Sequence, residues 1–283
     1  MSTRPPTLPL ERRTDPRRGP IHRLRDLLFA LLRWIGRHVE GFYAAVGAFL
    51  FIGLSCVLIG AVLFAELARA VVAGHTLRLD EAVLRWMSAN GSPAVDSFML
   101  EVTALGARLV VWMVVMVATA FLLLNRHRWS AALLWVSMLG AGLINMTMKE
   151  FFDRPRPDVF PWRTPHVGNA SFPSGHAMTS IVIYGTLGYL LGRLMPTRAT
   201  RIATYAIAAL VILLVGASRL YLGVHYPSDV LGGFATGGAW AFTCGLGMEA
   251  VRYFRRRRPE IAAEEKGLGA GPVDAPAPAA AAE

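Results

Sequence analysis

Two histidines and one carboxylate lie in short polar segments between long apolar runs. His225 precedes Asp229 by four residues, and His176 directly follows Gly175. Side chains four residues apart can meet on one face of a helix, and a carboxylate bonded to one imidazole nitrogen leaves the other free to attack. The alternatives are a lone interfacial histidine with a helix-capping aspartate at 225–229, and a surface histidine at 176.

The sequence Pro-Ser-Gly-His at 173–176 leads straight into an apolar run, so it predicts the start of a helix. The first turn of a helix has free backbone N–H groups that attract anions. Ser174 adds a hydroxyl donor, Gly175 allows close approach, and His176 is placed to give a proton to a bound anion. A simple N-cap by Ser174 is the alternative.

Cations surround these groups in the sequence. Segment 149–157 reads Lys-Glu-Phe-Phe-Asp-Arg-Pro-Arg-Pro, and Arg219 follows the apolar run at 202–218. Arginine binds phosphate oxygens in a bidentate way and lysine acts as a point charge, although snorkelling at a membrane surface would need the same residues. Two histidines, a carboxylate and these cations together can carry out phosphoryl transfer without a metal.

The apolar runs that separate these segments predict membrane helices. The chain is 54% hydrophobic and 17% charged, whereas soluble domains have roughly 25% charged residues. A spanning helix needs about 20 apolar residues, and the runs do not alternate as barrel strands do. The predicted fold is therefore an all-α, integral membrane six-helix bundle. Its helices are expected at 41–65, 109–125, 129–148, 177–192, 202–218 and 230–248.

The positions of the basic residues predict the orientation. The net charge is +10, and most of it lies in the terminal segments and alternate short loops, which we place in the cytoplasm. Both termini are then inside, and segments 66–108, 149–175 and 219–229 face outward. The catalytic loops lie at the ends of helices 3 to 6 on this outer side. Because the charge does not form one surface patch, we expect no nucleic-acid partner.

The rest of the chain divides by composition. We expect a disordered basic tail at 1–20, an amphipathic interfacial helix at 21–40, the membrane domain at 41–250, and a basic, then Ala/Pro-rich, disordered tail at 251–283. Residues 79–87 predict a short outer interfacial helix with Trp86 as its anchor. The pairs Gly188/Gly192 and Gly233/Gly237 predict close helix packing.

The three polar segments resemble the signatures of the type 2 phosphatidic acid phosphatases, a superfamily that includes vanadium haloperoxidases and glucose-6-phosphatase. These signatures are Lys-x6-Arg-Pro, Pro-Ser-Gly-His and Ser-Arg-x5-His-x3-Asp. The chain matches them in order at all eleven specified positions, across residues 149–229.

The resemblance implies a role for each matching residue. His225 would attack phosphorus to form a phosphohistidine, and Asp229 would orient it. His176 would protonate the leaving oxygen and then activate water. The phosphate would be held by five residues, Lys149, Arg156, Ser174, Gly175 and Arg219. No metal and no cofactor are implied, and Arg154, outside the signatures, is expected to make a loop or lipid contact rather than bind a second phosphate.

The resemblance implies a cell-membrane phosphatase with its active site on the extracytoplasmic side. Its substrate would be a lipid phosphate or diphosphate in the bilayer, such as phosphatidate, phosphatidylglycerol phosphate or undecaprenyl diphosphate. A phosphotransferase of the same family and a non-catalytic anion- or lipid-binding membrane protein remain as alternatives. A vanadate-dependent haloperoxidase is disfavoured because the family's known peroxidases are soluble. The oligomeric state stays open.

Overall fold

The computed structural model describes residues 42–164 and 168–269. These residues form eight helices and no strand, which confirms the all-α prediction for this part of the chain. The helices are α1 (Phe42–Val72), α2 (Leu77–Ala89), α3 (Pro93–Ala104), α4 (Arg108–Leu124), α5 (Arg128–Phe152), α6 (Gly175–Gly192), α7 (Arg198–Tyr221) and α8 (Pro227–Gly269). The predicted tail at 1–20 and amphipathic helix at 21–40 lie outside the described residues.

The chain forms two compact units that divide between Leu54 and Ser55, and all side chains discussed below belong to the second. Six helices match predicted positions, namely α1 and α4 to α8. The prediction is wrong for the segment 66–108, which was expected to be an outer loop with one short helix. There α1 continues to Val72, and α2 and α3 follow it.

The six-span prediction is not confirmed. Three described segments are long and apolar enough to cross a membrane unaided: Gly53–Val72, α5 and α7. The pair α3 and α4, bent by 49°, could form a fourth span. The shorter α6 is buried among its neighbours, so it has polar residues such as Ser180 and Thr186 where a lipid-facing helix would have apolar ones.

The core lies where α4, α5 and α6 meet. It is built from eight buried side chains, Val111, Val115, Leu134, Met138, Ala141, Met178, Val182 and Ile183. The outer faces of α4 and α7 instead expose large apolar side chains, among them Val117, Leu124 and Leu213. Such continuous apolar surface suits contact with lipid and would be an aggregation liability in water.

Glycines let α6 pack closely against its neighbours, as their spacing predicts. A Cβ atom at Gly233 of α8 would lie 2.6 Å from the backbone oxygen of Ser174, and one at Gly237 would lie 2.7 Å from that of Met178. On the other side of α6, a Cβ at Gly192 would lie 2.6 Å from the ring of Tyr205. Backbone atoms cannot give way as a flexible side chain can, so Gly233 fixes the distance between the starts of α6 and α8.

Replacing Gly233 by alanine should therefore destabilise the bundle. The added methyl must push α6 and α8 apart, and overpacking of this kind costs about 1–3 kcal/mol, or several degrees in Tm. Thermal unfolding in detergent measures the effect. Gly245→Ala on the same helix is the matched control, because a Cβ there meets nothing within 4 Å. Equal Tm values for the two variants would contradict the close contact.

The basic tail also differs from its prediction. In the structure α8 continues to Gly269, although residues 251–283 were predicted to be disordered. The stretch 260–266 is rich in Ala, Glu and Lys, which have high intrinsic helix propensity, and this explains how a helix can pass beyond Pro259. Residues 270–283 lie outside the described part of the chain.

Candidate active site

His225 and Asp229 form a buried pair at the start of α8. The Nδ1 atom of His225 lies 3.4 Å from Oδ2 of Asp229, and the backbone N–H of Tyr226 donates to the same oxygen at 2.8 Å. His225 is 2% exposed and Asp229 is fully buried. The burial of His225 does not fit an interfacial histidine, whereas the bond from Tyr226 shows that Asp229 also caps the start of α8. With its proton on Nδ1, the ring presents the lone pair of Nε2.

A tight turn at the end of α7 brings His225 into place. Gly223 adopts φ +76°, a conformation that glycine accepts at no steric cost, and a Cβ there would lie 2.7 Å from the ring of Phe160. The backbone N–H of Val224 donates to the carbonyl of Arg219 at 3.3 Å, which closes the turn. Pro227 then starts α8, where its missing N–H has no cost.

The loop after α5 carries Arg156 to the other side of His225. Nη1 of Arg156 donates to the carbonyl of Val224 at 2.6 Å and lies 3.2 Å from Nε2 of His225. The loop is closed on itself by Ser171, which donates from its backbone to the carbonyl of Arg154 at 2.8 Å and from its hydroxyl to that of Pro155 at 3.0 Å. A guanidinium therefore faces the nitrogen that would attack phosphorus.

Ser174 precedes α6 at the N-cap position, but its hydroxyl makes no capping hydrogen bond. The Oγ atom is buried and has no partner among the described residues. Its backbone N–H donates to the carbonyl of Asp229 at 2.9 Å, which joins the starts of α6 and α8. The N-cap alternative is thus wrong, and a buried donor without a partner marks a place where a ligand oxygen could bind.

His176 lies in the first turn of α6 and packs inward. A Cβ atom at Gly106 would lie 2.9 Å from its Cδ2 atom, and the same small gap borders Val215. Burial lowers the pKa of His176 most, and the nearby charges of Arg219, His225, Arg156 and Lys149 lower it further. This places His176 among the other signature residues and not on an open surface.

Lys149 and Arg219 complete the ring of cations. Nζ of Lys149, in the last turn of α5, donates inward to the carbonyl of Ala170 at 2.6 Å, so it does not snorkel outward. Arg219, in the last turn of α7, is 3% exposed and donates from Nη1 to Oγ1 of Thr103 at 2.7 Å. Its Nε is buried without a partner among the described residues, as is Ser174 Oγ.

The structure thus brings together all eight residues to which the resemblance gives a role. They come from the ends of α5 and α7, the starts of α6 and α8, and the loop 153–174. The buried Arg219 Nε and Ser174 Oγ are both donors with unmet hydrogen-bonding capacity, and the surrounding groups are cationic. An anion with several oxygens is the ligand that this arrangement suits.

Burial sets the protonation state of His225. Removal from water lowers its pKa to about 4, against the hydrogen bond and charge of Asp229, which raise it. A pKa below the ordinary value near 6.5 means that the ring is neutral at neutral pH, and only a neutral ring has a free lone pair for attack. The burial of His225 in the folded protein therefore also keeps its ring neutral, as nucleophilic attack requires.

The sequence signatures miss a second buried charge network behind Asp229. Arg154 donates from Nη1 to Oδ1 of Asp229 at 2.5 Å and from Nη2 to Oδ2 of Asp80 at 2.9 Å. It also donates to Oγ of Ser228 at 2.8 Å, and its guanidinium lies 4.2 Å from the ring centre of Tyr226. The predicted loop or lipid contact for Arg154 is wrong, because its side chain is only 11% exposed.

Arg163, like Arg154, contacts several groups within the protein. Its guanidinium lies 4.4 Å from the ring centre of Tyr221, and Nη2 donates to the carbonyl of Ser88 at 3.1 Å. Its Nε is 3.7 Å from a carboxylate oxygen of Asp96. Arg163 therefore ties α2 and α3 to the end of α7.

Comparison with known proteins gives three agreeing matches. A family model described as the PAP2 superfamily matches residues 130–258. Phosphatidylglycerophosphatase B of Bacillus subtilis is 32% identical over 195 residues, which cover 69% of this chain and 95% of that protein. A lipid A 1-phosphatase of Rhizobium etli is 35% identical over 118 residues, which cover 39% of this chain and 47% of that protein.

A solved structure has the same arrangement of helices. It is the crystal structure of a transmembrane PAP2-type phosphatidylglycerolphosphate phosphatase from Bacillus subtilis. The TM-score is 0.65 at 31% sequence identity, and the match covers 69% of this chain and 96% of that one. The matched region of the family model contains every signature residue from Lys149 to Asp229.

Proposed function

Because the chain belongs to the PAP2 superfamily and is a membrane lipid phosphatase, we propose that it cleaves a lipid phosphate monoester through a phosphohistidine on His225. The observation that carries this proposal is the buried His225–Asp229 pair together with Ser174 and Arg219, whose Oγ and Nε donors have no partner among the described residues. A phosphate seated on those donors lies among the charges that stabilise a phosphoryl transition state.

The first step transfers the phosphoryl group to the protein. Nε2 of His225 attacks phosphorus with its lone pair, and the bond from phosphorus to the lipid oxygen breaks. His176 gives its proton to that oxygen, so the lipid leaves as an alcohol. The negative phosphate favours the protonated form of His176, and Asp229 stabilises the positive charge that develops on the His225 ring.

The second step returns the enzyme to its starting state. His176, now neutral, takes a proton from water as the water oxygen attacks phosphorus. The bond between phosphorus and Nε2 breaks, its electron pair returns to His225, and inorganic phosphate leaves. The same residue acts as acid and then as base, as microscopic reversibility requires.

Arg156 must change partner during this cycle. In the structure its Nη1 lies 3.2 Å from Nε2 of His225, where the phosphorus would have to approach. A bound phosphate offers charged oxygens, which are stronger acceptors than an imidazole nitrogen. Arg156 then turns to the phosphate, together with Lys149 and Arg219, and leaves the lone pair of His225 free.

We assign phosphatidylglycerol phosphate as the first candidate substrate. The support is the relative named a phosphatidylglycerophosphatase, which matches over 95% of its length, whereas the lipid A 1-phosphatase matches over less than half. Phosphatidate and undecaprenyl diphosphate remain candidates because the signature groups contact only phosphate. The site would face the extracytoplasmic side of the cell membrane, as the distribution of basic residues predicts.

Phosphate release in detergent micelles with excess EDTA tests the proposal. Phosphatidylglycerol phosphate, phosphatidate, undecaprenyl diphosphate and a lipid A 1-phosphate are compared at equal surface concentration. We expect release that EDTA leaves unchanged, with phosphatidylglycerol phosphate hydrolysed fastest. Loss of activity with EDTA, restored by a divalent metal, would show that the proposed metal-free chemistry is wrong.

A phosphotransferase is distinguished in the same assay. Adding glycerol or another alcohol as a competing acceptor divides the phosphoenzyme between water and the alcohol. A hydrolase releases mainly inorganic phosphate, whereas a transferase forms the new phosphate ester and releases little phosphate without an acceptor. A well-folded protein that binds phosphate but turns over none of the four lipids would favour the anion-binding alternative.

A further inference from the structure

Behind the candidate nucleophile, a chain of four charged or titratable groups reaches from α8 to the outer helix α2. It runs from His225 to Asp229, then to Arg154, and ends at Asp80. Asp80 is 2% exposed and Asp229 is fully buried, so none of these contacts is a screened surface ion pair. Asp80 lies outside all three signatures.

Asp80 binds more than the arginine. Oδ1 accepts the backbone N–H of Ser228 at 3.0 Å, and Oδ2 accepts the Ser228 hydroxyl at 2.5 Å. Ser228 is the second residue of α8, so the carboxylate of α2 acts as a cap for the helix that carries Asp229. One carboxylate therefore fixes both the start of α8 and the guanidinium that contacts Asp229.

We propose that Asp80 is a positioning residue of the reaction: through Arg154 and Ser228 it holds the Asp229 carboxylate in the rotamer that orients His225. Asp229 uses Oδ1 for Arg154 and Oδ2 for His225 and the N–H of Tyr226. If Arg154 loses its second carboxylate, its guanidinium keeps only Ser228 and the Tyr226 ring beside Asp229, so the orientation of Oδ2 toward Nδ1 is relaxed. Asp80 itself touches neither the ring nor the substrate.

The inference rests on the proposed function, and it makes α2 part of the catalytic unit. A misplacement of about 1 Å by a change away from the reacting atoms can cost on the order of 100-fold in rate. We expect Asp80→Asn to lower kcat for phosphate release by about 10- to 100-fold. KM should stay within about twofold, because no phosphate-binding residue is changed.

The neighbouring Glu81→Gln is the matched control. Glu81 lies on the same helix and pairs with Arg85 at 2.5 Å instead of with Arg154. The same loss of one negative charge should leave kcat unchanged there. Thermal unfolding of both variants in detergent, measured beside the kinetics, separates lost orientation from lost folded protein.

A double-mutant cycle tests the route through the arginine. If Asp80 acts through Arg154, adding Asp80→Asn to Arg154→Gln should lower kcat little further, because groups that act as a unit are not additive. Ser228→Ala provides a second variant that keeps every charge, and it should lower kcat by a smaller factor. This variant also serves if Asp80→Asn does not fold.

The outcomes separate the inference from the function it rests on. A normal kcat in Asp80→Asn and Ser228→Ala, or fully additive losses with Arg154→Gln, would overturn the positioning role while leaving a working phosphatase. A fall in activity that only follows the unfolded fraction would overturn it as well. Wild-type protein without phosphate release would instead contradict the proposed function.

Discussion

Replacing His225 by alanine should abolish phosphate release, lowering kcat by about 10⁴-fold or more. The change removes the nucleophile, and no other imidazole among the described residues is bonded to a carboxylate in this way. His225→Gln should fail equally, since the amide is a poor nucleophile even though it preserves much of the volume. The measurement is inorganic phosphate released per folded protein from phosphatidylglycerol phosphate in micelles.

The control for this prediction is His75→Ala. His75 is an exposed histidine between α1 and α2, so the same substitution should leave the rate unchanged. Fluorescence or thermal unfolding must show that His225→Ala retains its fold, because the residue is buried. A His225→Ala protein with more than a few per cent of wild-type activity would rule out a phosphohistidine at this position.

Replacing His176 by alanine should produce a loss that depends on the leaving group. A lipid alkoxide needs a proton as it departs, so hydrolysis of a lipid phosphate should slow by about 10²- to 10⁴-fold. The p-nitrophenolate ion is stable without a proton, so the first step with p-nitrophenyl phosphate should be much less affected. Because water is no longer activated in the second step, the phosphoenzyme should accumulate.

A rapid burst of p-nitrophenolate, close to one per protein, is therefore expected in His176→Ala and absent in His225→Ala. Stopped-flow absorbance measures the burst amplitude directly. Equal slowing of the lipid and the aryl substrate, without any burst, would remove His176 from the acid and base role. In that case the half-buried position of His176 beside Gly106 and Val215 would be a packing feature.

The sequence was sufficient to predict the residues of the site, but it did not predict the contacts that hold them in place. Spacing alone placed His225 and Asp229 on one face of a helix, and the apolar runs placed Lys149, His176 and Arg219 at helix ends. These are local features, since each depends on neighbours in the sequence or on a helix boundary. The structure agrees with the helix ends, but His225 lies two residues before the start of α8, so its pair with Asp229 forms across the turn into the helix and not on one helical face.

The supporting contacts are long-range, so no local pattern could reveal them. Asp80 is separated from Ser228 by 148 positions, and Thr103 from Arg219 by 116. In the sequence, Asp80 stands beside Glu81 in an amphipathic segment, and nothing distinguishes the buried carboxylate from the partly exposed one. The sequence did contain one hint of this network. Arg154 lies in a segment predicted to face outward, where the positive-inside rule disfavours arginine, and its buried ion pair with Asp229 accounts for it.

Helix count was the weakest prediction from composition. A mean hydropathy taken over about 20 residues detects helices that face lipid, such as α5 and α7. Mean hydropathy is a poor measure for α6, because this helix is surrounded by protein and can therefore contain buried Ser, Thr and Gly residues. It also missed α3, a 12-residue helix whose Thr103 contacts Arg219, because its length is too short for a span.

The central claim is that the phosphoryl group passes through His225, and trapping it is the most direct test. Wild-type protein turning over ³²P-labelled lipid phosphate is quenched in alkali, which preserves a phosphorus–nitrogen bond, and then digested and mapped by mass spectrometry. The account predicts one labelled phosphoryl group on the peptide that contains His225, and none in His225→Ala. Label on His176 or on any other side chain, with His225 unmodified, would contradict it.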